Sequence, residues 1–215
     1  RLINSVKIYR ITLDYSLDDL LEATREVVAR NNVESCYIRP MVLRGYGASG
    51  MVPFDSPVEV YIPCWPWGAY LGDDAMTKGV RMKISSWKRL DHNMLPPAAK
   101  TVANYANSSL AKVEALKAGY DEAILLNNEG LVSECTGENL FVVRNGRIIT
   151  PPLSAGALEG ITQASVIKIL EDLGYEVEKG NIARSDLYIA EEIFCVGTAA
   201  EVSAINSVDD RKVPC

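Results

Sequence analysis

The segment that most restricts the possible fold is a run of strand-forming sequence between residues 122 and 152. Its stretches "EAILLN", "LVSECTGENLFVVR" and "IITPP" are separated only by the short turns "NNEG" and "RNGR". The dipeptide Asn145-Gly146 is typical of a two-residue type I′ turn, because both positions require a positive φ that these residues tolerate. The sequence therefore predicts an antiparallel hairpin at this point, within a larger sheet.

Helices and further strands are predicted on both sides of this run. An amphipathic helix is expected over 16–30 with Ser16 as its N-cap, and further helices over 98–118, over 160–174 and after a Ser185 cap. Other strands are predicted at 34–46, 57–67, 80–89 and 192–208. The glycine-containing stretch 68–79 has few periodic apolar residues and reads as a linker. We therefore predict two domains of α/β and α+β type: a small domain over 1–67, the linker 68–79, and a large domain over 80–215.

Composition excludes several classes of function. The formal net charge of −6 argues against a nucleic-acid partner, and no apolar run approaches the roughly 20 residues of a membrane helix. Five widely spaced cysteines without a CxxC pair are typical of reduced thiols in a cytoplasmic protein. With His92 as the only histidine, no histidine-rich metal site is expected. The chain starts without a methionine and stops soon after a turn, so we expect both domains to be incomplete.

Lys100 is the first candidate for chemistry, because it stands among alanines in "AAKTVANY". A buried lysine has a lowered pKa and becomes an amine that can condense with an aldehyde. The alternative is a surface lysine whose stem lies along apolar neighbours.

Two further features can each be interpreted either as part of a binding site or as ordinary structure. Glu134 and Glu138 interrupt apolar strand sequence in "SECTGENLF", where a carboxylate needs a partner such as a pyridinium nitrogen or an arginine. The small-residue turns "ALEGIT" and "VGTAAE" offer N–H groups and the hydroxyls of Thr162 and Thr198, which suit a phosphate group. Solvated acids and ordinary helix capping are the alternatives. Together, a lysine, a carboxylate and phosphate-binding turns fit pyridoxal phosphate.

Six motifs occur in one order along the whole chain: "YIRP", "PWGAYLG", "AAKTVANY", "SECTGENLF", "TPPLSAGALEGIT" and "FCVGTAAEV". In this series the chain resembles the class IV (fold-type IV) aminotransferases, which also include the D-amino acid aminotransferases, and among them the branched-chain amino acid aminotransferases. The resemblance implies a small α/β domain and a larger β pseudo-barrel domain with flanking helices, with pyridoxal 5′-phosphate as the cofactor. It also implies a homodimer or a higher homo-oligomer, acting on amino acids and 2-oxo acids.

The resemblance assigns cofactor roles residue by residue. Lys100 is implied to form the Schiff base and to move the proton at the substrate Cα. The other implied cofactor contacts are Tyr105 on the phenolic oxygen, Glu134 on the pyridine nitrogen, and Ile161, Thr162 and Thr198 on the phosphate. Glu138 and Asn139 are implied to be structural.

Substrate contacts are implied for Tyr37, Arg39 and the turn Thr198-Ala199 at the carboxylates, and for Trp67 at the side-chain pocket. The expected reaction is transamination of L-leucine, L-isoleucine and L-valine with 2-oxoglutarate. A D-amino acid or (R)-amine transaminase, or an aminodeoxychorismate lyase, is the alternative on the same fold. A cofactor-free binding or regulatory protein on a decayed form of this scaffold is the alternative from a different class of function. The loop 45–53, with Ala48-Ser49, departs from the branched-chain pattern, and the family's phosphate-binding arginine lies upstream of residue 1.

Overall fold

The structure is a computed structural model that describes residues 1–47, 49–68, 71 and 78–214. The chain divides into two compact units, Arg1–Gly68 and Ala69–Cys215. Most of the proposed linker 68–79, much of the "PWGAYLG" motif and Ala48 lie outside the described residues. The proposed domain boundaries therefore stay predictions.

The first unit combines two helices with two short antiparallel strand pairs. Its elements are α1 (Leu2–Ile8), α2 (Leu17–Asn31), β1 (Tyr37–Ile38), β2 (Met41–Arg44), β3 (Val58–Tyr61) and β4 (Cys64–Trp65). The Ser16 cap is confirmed: its hydroxyl accepts from the Asp19 N–H at 3.1 Å, and the Asp19 carboxylate accepts from the Ser16 N–H at 2.8 Å. This reciprocal capping box satisfies N–H groups that the first turn leaves unpaired.

Both strands predicted in the first unit are interrupted by proline. The 34–46 run separates into β1 and β2 around Arg39-Pro40, and the 57–67 run separates into β3 and β4 around Ile62-Pro63. Proline has no N–H to donate to a strand ladder, which explains both breaks. As a result β1 pairs with β4, and β2 pairs with β3.

The second unit is built on a mixed sheet. Its strands are β5 (Val80–Lys88), β6 (Glu122–Leu126), β7 (Val132–Cys135), β8 (Asn139–Arg144), β9 (Arg147–Thr150), β10 (Val177–Lys179), β11 (Glu192–Gly197), β12 (Glu201–Val208) and β13 (Arg211–Lys212). Eight of them follow the order β10-β9-β8-β11-β12-β5-β6-β7, and β13 pairs with β12. Buried aliphatic side chains from most of these strands form the main core.

The predicted hairpin at Asn145-Gly146 is confirmed. Asn145 has φ 51° and Gly146 has φ 70°, the two positive values of a type I′ turn. The turn connects β8 to β9, with Arg144 opposite Arg147.

The α-helices with described bounds in the second unit are α3 (Asn104–Lys117), α4 (Ile161–Asp172) and α5 (Arg184–Tyr188). Two predictions for them are wrong in detail. The helix expected from residue 98 begins only at Asn104, because turns occupy the segment after Pro96-Pro97. Ser185 is not the cap of α5: Ala183 is the N-cap residue, and the Asp186 carboxylate accepts its N–H at 2.8 Å.

Candidate active site

Glu134 is a buried carboxylate on β7, held by three neighbours. Its Oε1 lies 2.5 Å from Nη2 of Arg89. Its Oε2 accepts the Leu158 N–H at 2.9 Å and the Asn139 Nδ2 at 3.3 Å. Glu134 and Arg89 are each 6% exposed, so solvent screens this ion pair little.

Opposing influences act on the pKa of Glu134, and the net direction is upward. Burial is the largest cause and raises the pKa, while Arg89, the Leu158 N–H and the charge of Lys100 lower it. The neighbours above occupy three of the roughly four acceptor positions that a carboxylate offers. One position remains for a further donor, so the carboxylate can accept a protonated ring nitrogen.

Arg89 is a site residue that the sequence analysis missed. It directly follows β5, and its Nε also donates to the Gly156 carbonyl at 3.1 Å. The sequence analysis left a pyridinium or an arginine as partner of Glu134, and the structure shows an arginine on one oxygen. The only local signal was a cation ending an apolar strand, which is too common to single out Arg89.

Lys100 lies in an irregular segment before α3 and is exposed, so of the two interpretations left open by the sequence the structure shows the surface lysine. Asn104, itself buried, fixes this segment by donating to the carbonyls of Ala99 at 3.0 Å and Pro96 at 3.3 Å. The Lys100 Nζ lies 5.4 Å from the centre of the Tyr105 ring. The charge of Lys100 also lowers the pKa of Glu134. Tyr105 and Glu134, the two residues predicted to contact the cofactor ring, are therefore both close to Lys100.

The turn before α4 has the geometry of an anion site. The N-cap Gly160 is extended at φ −71° and ψ 140°, and it has no side chain to cap the helix. The first helical hydrogen bond runs from the Ala164 N–H to the Gly160 carbonyl, so the N–H groups of Ile161 and Thr162 find no acceptor within the helix. These N–H groups and the positive end of the helix dipole favour a phosphate group.

Asn139 joins this turn to Glu134. Its Nδ2 donates to the Leu158 carbonyl at 2.9 Å as well as to Glu134. A Cβ on Gly160 would lie 2.0 Å from the Asn139 Oδ1, so any larger residue there must displace the Asn139 side chain. Asn139, which the resemblance left as structural, thus connects the Glu134 carboxylate to the turn before α4.

The Thr198 turn follows β11 at the point where the neighbouring strand β8 begins. β11 pairs with β8 so that Val196 lies opposite Asn139. A Cβ on Gly197 would lie 3.3 Å from the Gly137 carbonyl. The Thr198 turn therefore lies close to the turn between β7 and β8. Thr198 is exposed and Ala199 is half-buried in the connection to β12.

Behind the β7–β8 turn lies a second buried acidic group. Glu122 is fully buried and accepts from Lys112 at 2.6 Å and from the Thr136 hydroxyl at 2.7 Å. Burial, and then the negative charge of Glu122, raise the pKa of Glu138 to about 8, against the opposing effects of the Gly137 N–H and Lys112. Glu138 is therefore largely protonated at neutral pH and suits a structural role.

The residues predicted to contact substrate in the first unit form an aromatic group of their own. The Tyr37 ring centre lies 4.8 Å from Trp67 and 5.2 Å from Trp65. The guanidinium of Arg39 lies 5.3 Å from the ring centres of both Tyr37 and Trp65. Trp65 was not singled out from the sequence; the register of β1 and β4, with Tyr37 opposite Trp65, is what brings it here.

Two searches of the described residues bear on other classes of function. None of the helices between residues 1–47, 49–68 and 78–214 is long and apolar enough to cross a membrane. In the same part of the chain, no three His, Cys, Asp or Glu side chains group in a way that would hold a metal ion.

The known proteins that this chain is similar to are aminotransferases. A family model described as "Amino-transferase class IV" matches residues 1–208. The branched-chain-amino-acid aminotransferase of Escherichia coli K12 is 44% identical over 214 residues, covering 99% of this chain and 69% of that protein. The probable branched-chain-amino-acid aminotransferase of Aquifex aeolicus is 43% identical over 217 residues, covering 99% and 68%.

Solved structures agree. The crystal structure of the Escherichia coli branched-chain amino acid aminotransferase superposes with a TM-score of 0.94 at 43% identity, over 99% of this chain and 70% of that one. The branched-chain amino acid aminotransferase from Thermobaculum terrenum, in its PLP form, superposes with a TM-score of 0.90 at 38% identity, over 98% and 68%.

The mixed sheet, with a buried carboxylate on β7 joined through Asn139 to the N-terminus of α4, is the fold of a fold-type IV pyridoxal-phosphate enzyme. The chain belongs to the class IV aminotransferase family. Its residues fit that cofactor: Glu134 retains an acceptor position for the ring nitrogen, and the turn at Gly160–Thr162 retains N–H groups for the phosphate.

Proposed function

We propose that this protein transfers the amino group of L-leucine, L-isoleucine and L-valine to 2-oxoglutarate, giving branched-chain 2-oxo acids and L-glutamate. The observation that carries the proposal is Glu134, a buried carboxylate held by Arg89, next to a lysine and joined through Asn139 to an uncapped helix N-terminus. The identity to branched-chain enzymes supports the choice of substrate.

When bound, pyridoxal 5′-phosphate supplies an aldehyde that condenses with amines and a protonated ring that accepts an electron pair. Glu134 would hold the proton on the ring nitrogen through its remaining acceptor position. The Lys100 Nζ would hold the cofactor at rest and would move the proton at the substrate Cα. The Tyr105 hydroxyl would donate to the phenolic oxygen, while Ile161, Thr162 and Thr198 would bind the phosphate through N–H and hydroxyl groups.

Arg39, Tyr37 and the Thr198-Ala199 turn are proposed to bind the substrate carboxylates, and Trp67 to contact the side chain. A branched-chain transaminase must accept an aliphatic side chain and then the γ-carboxylate of glutamate, and a guanidinium lying against aromatic rings offers contacts for both. We further propose that the protein is cytoplasmic and a homodimer or larger homo-oligomer.

The test is the visible spectrum of the full-length protein, first with cofactor and then with L-leucine or D-alanine added separately. Loss of the cofactor's visible band with L-leucine alone supports the proposal. Loss with D-alanine alone moves the protein to the D-amino acid branch of the same fold. A protein that acquires no visible band when the cofactor is supplied contradicts the proposal.

A further inference from the structure

Two cysteines of the first unit lie close together at the β1–β4 strand pair, as diagonal neighbours. Cys64 begins β4 and lies directly opposite Ile38, while Cys36 immediately precedes β1. Side chains two residues apart on an extended strand point to the same side, so Cys36, Ile38 and Cys64 share one face. Cys36 is therefore the diagonal neighbour of Cys64, within side-chain reach.

The two thiols interact and are reachable. Both are partly exposed and free. Burial is the first cause that raises the pKa of the Cys64 thiol, and the nearby Cys36 thiol is the second, by charge and by hydrogen bonding. This interaction between the two thiols agrees with the placement that strand register predicts.

We propose that Cys36 and Cys64 are a redox-active pair that closes to a disulfide by exchange with a small-molecule disulfide such as oxidised glutathione. The Cys36 thiolate attacks one sulfur of the small disulfide and expels the other as a thiolate, leaving a mixed disulfide. The Cys64 thiolate then attacks the Cys36 sulfur and expels the second small thiol. Two protein thiols and one small disulfide thus become one protein disulfide and two small thiols.

Local geometry allows the closure. Diagonal neighbours across a strand pair lie slightly farther apart than the Cα separation of most disulfides, so one side must shift. Cys36 lies outside β1, in the irregular segment that follows α2, where no strand ladder holds its backbone. Attack by Cys36 also removes the ionisable neighbour that raises the pKa of Cys64, which favours the second step.

The disulfide lies behind the residues proposed to bind substrate. Tyr37 and Trp65 alternate with Ile38 and Cys64 on the same strands and so occupy the opposite face. A cross-link on the thiol face restrains the strands that present Tyr37 and Arg39. We expect oxidation to change the KM for the amino acid by about threefold or more and to leave the cofactor's visible band in place; this consequence rests on the proposed function.

The test is non-reducing peptide mapping of the native full-length protein after equilibration in glutathione buffers of increasing oxidised fraction. Trypsin separates Cys36 and Cys64 into peptides 31–44 and 45–78. The expected result is a cross-linked pair of these peptides, two hydrogens lighter than their sum, that disappears with a strong reductant. Cys135 and Cys195 are fully buried and serve as internal controls that stay reduced.

Matched variants make the outcome specific. In Cys36→Ser and in Cys64→Ser, the remaining thiol is expected to stay free or to carry glutathione, with no cross-link. If the native protein in oxidising buffer carries only free thiols or separate glutathione adducts at both positions, the proposed pair is wrong. If the cross-link forms and the KM is unchanged, the consequence for substrate binding is wrong. If the reduced protein lacks transaminase activity, the proposed function fails, and the peptide map still decides the disulfide.

Discussion

Arg89→Met should destabilise the protein strongly, because it leaves the Glu134 carboxylate buried without a cation. Methionine fills the volume of the arginine stem, so the change removes charge more than packing. The lost contact is a 2.5 Å ion pair whose two side chains are 5% and 8% exposed. Breaking a buried pair of this kind costs about 3–5 kcal/mol, which is roughly a hundred- to several-thousand-fold in the folding equilibrium.

The loss of stability in Arg89→Met should increase as pH rises. Arg89 is the largest influence that lowers the pKa of Glu134, so the variant binds a proton at Glu134 more tightly than the native protein does. The folded variant therefore holds more protons, and the advantage of the native protein grows as pH rises. Below the ordinary glutamate pKa of about 4.3, both proteins carry a neutral Glu134 and the difference should be smallest.

Urea unfolding of the cofactor-free protein between about pH 4 and about pH 9 measures the free energy of unfolding of native protein and variant, provided that the denaturant slope is the same for both. The double variant Arg89→Met/Glu134→Gln is the matched control, since it removes both charges and should recover most of the loss. A loss below about 1 kcal/mol, a loss independent of pH, or a double variant no more stable than Arg89→Met alone would refute the reasoning.

Three further predictions follow from the site. Glu138→Gln should stabilise the protein above about pH 8 by on the order of a few kcal/mol and have little effect near about pH 4. The raised pKa of Glu138 means that the native protein loses stability as pH rises from about 4 to about 8, and glutamine removes this loss. A pH-independent effect in thermal unfolding would contradict this. Gly160→Ala should weaken cofactor binding about tenfold or more, since its Cβ forces Asn139 away from Leu158, a cost of about 1–3 kcal/mol in lost hydrogen bonds; titration with the cofactor measures it, and native affinity would count against the anion site. Lys100→Ala should abolish transamination and the visible band shift of the bound cofactor, and an active variant would end the proposed mechanism.

Local sequence was enough to predict the backbone conformation wherever a few neighbouring residues determine it. The Ser16 cap and the Asn145-Gly146 turn were predicted because each depends only on residues next to it in sequence: a side chain that caps the first turn, and two residues that tolerate positive φ. The order of short motifs along the chain was enough for the family. Local signals failed at the start of α3, where irregular turns after Pro96-Pro97 delay the helix to Asn104.

The sequence alone determined the strand-rich core and the family, and it predicted a set of residues to hold the cofactor. The tertiary structure decided which side chains surround the predicted carboxylate. Arg89 meets Glu134 across 45 positions of chain, and Asn139 joins Glu134 to the turn before α4, because β5, β7 and β8 belong to one sheet. The physical reason is that capping and turn geometry act over a few residues, whereas the partner of a buried charge is chosen by sheet register and burial, which depend on the whole fold.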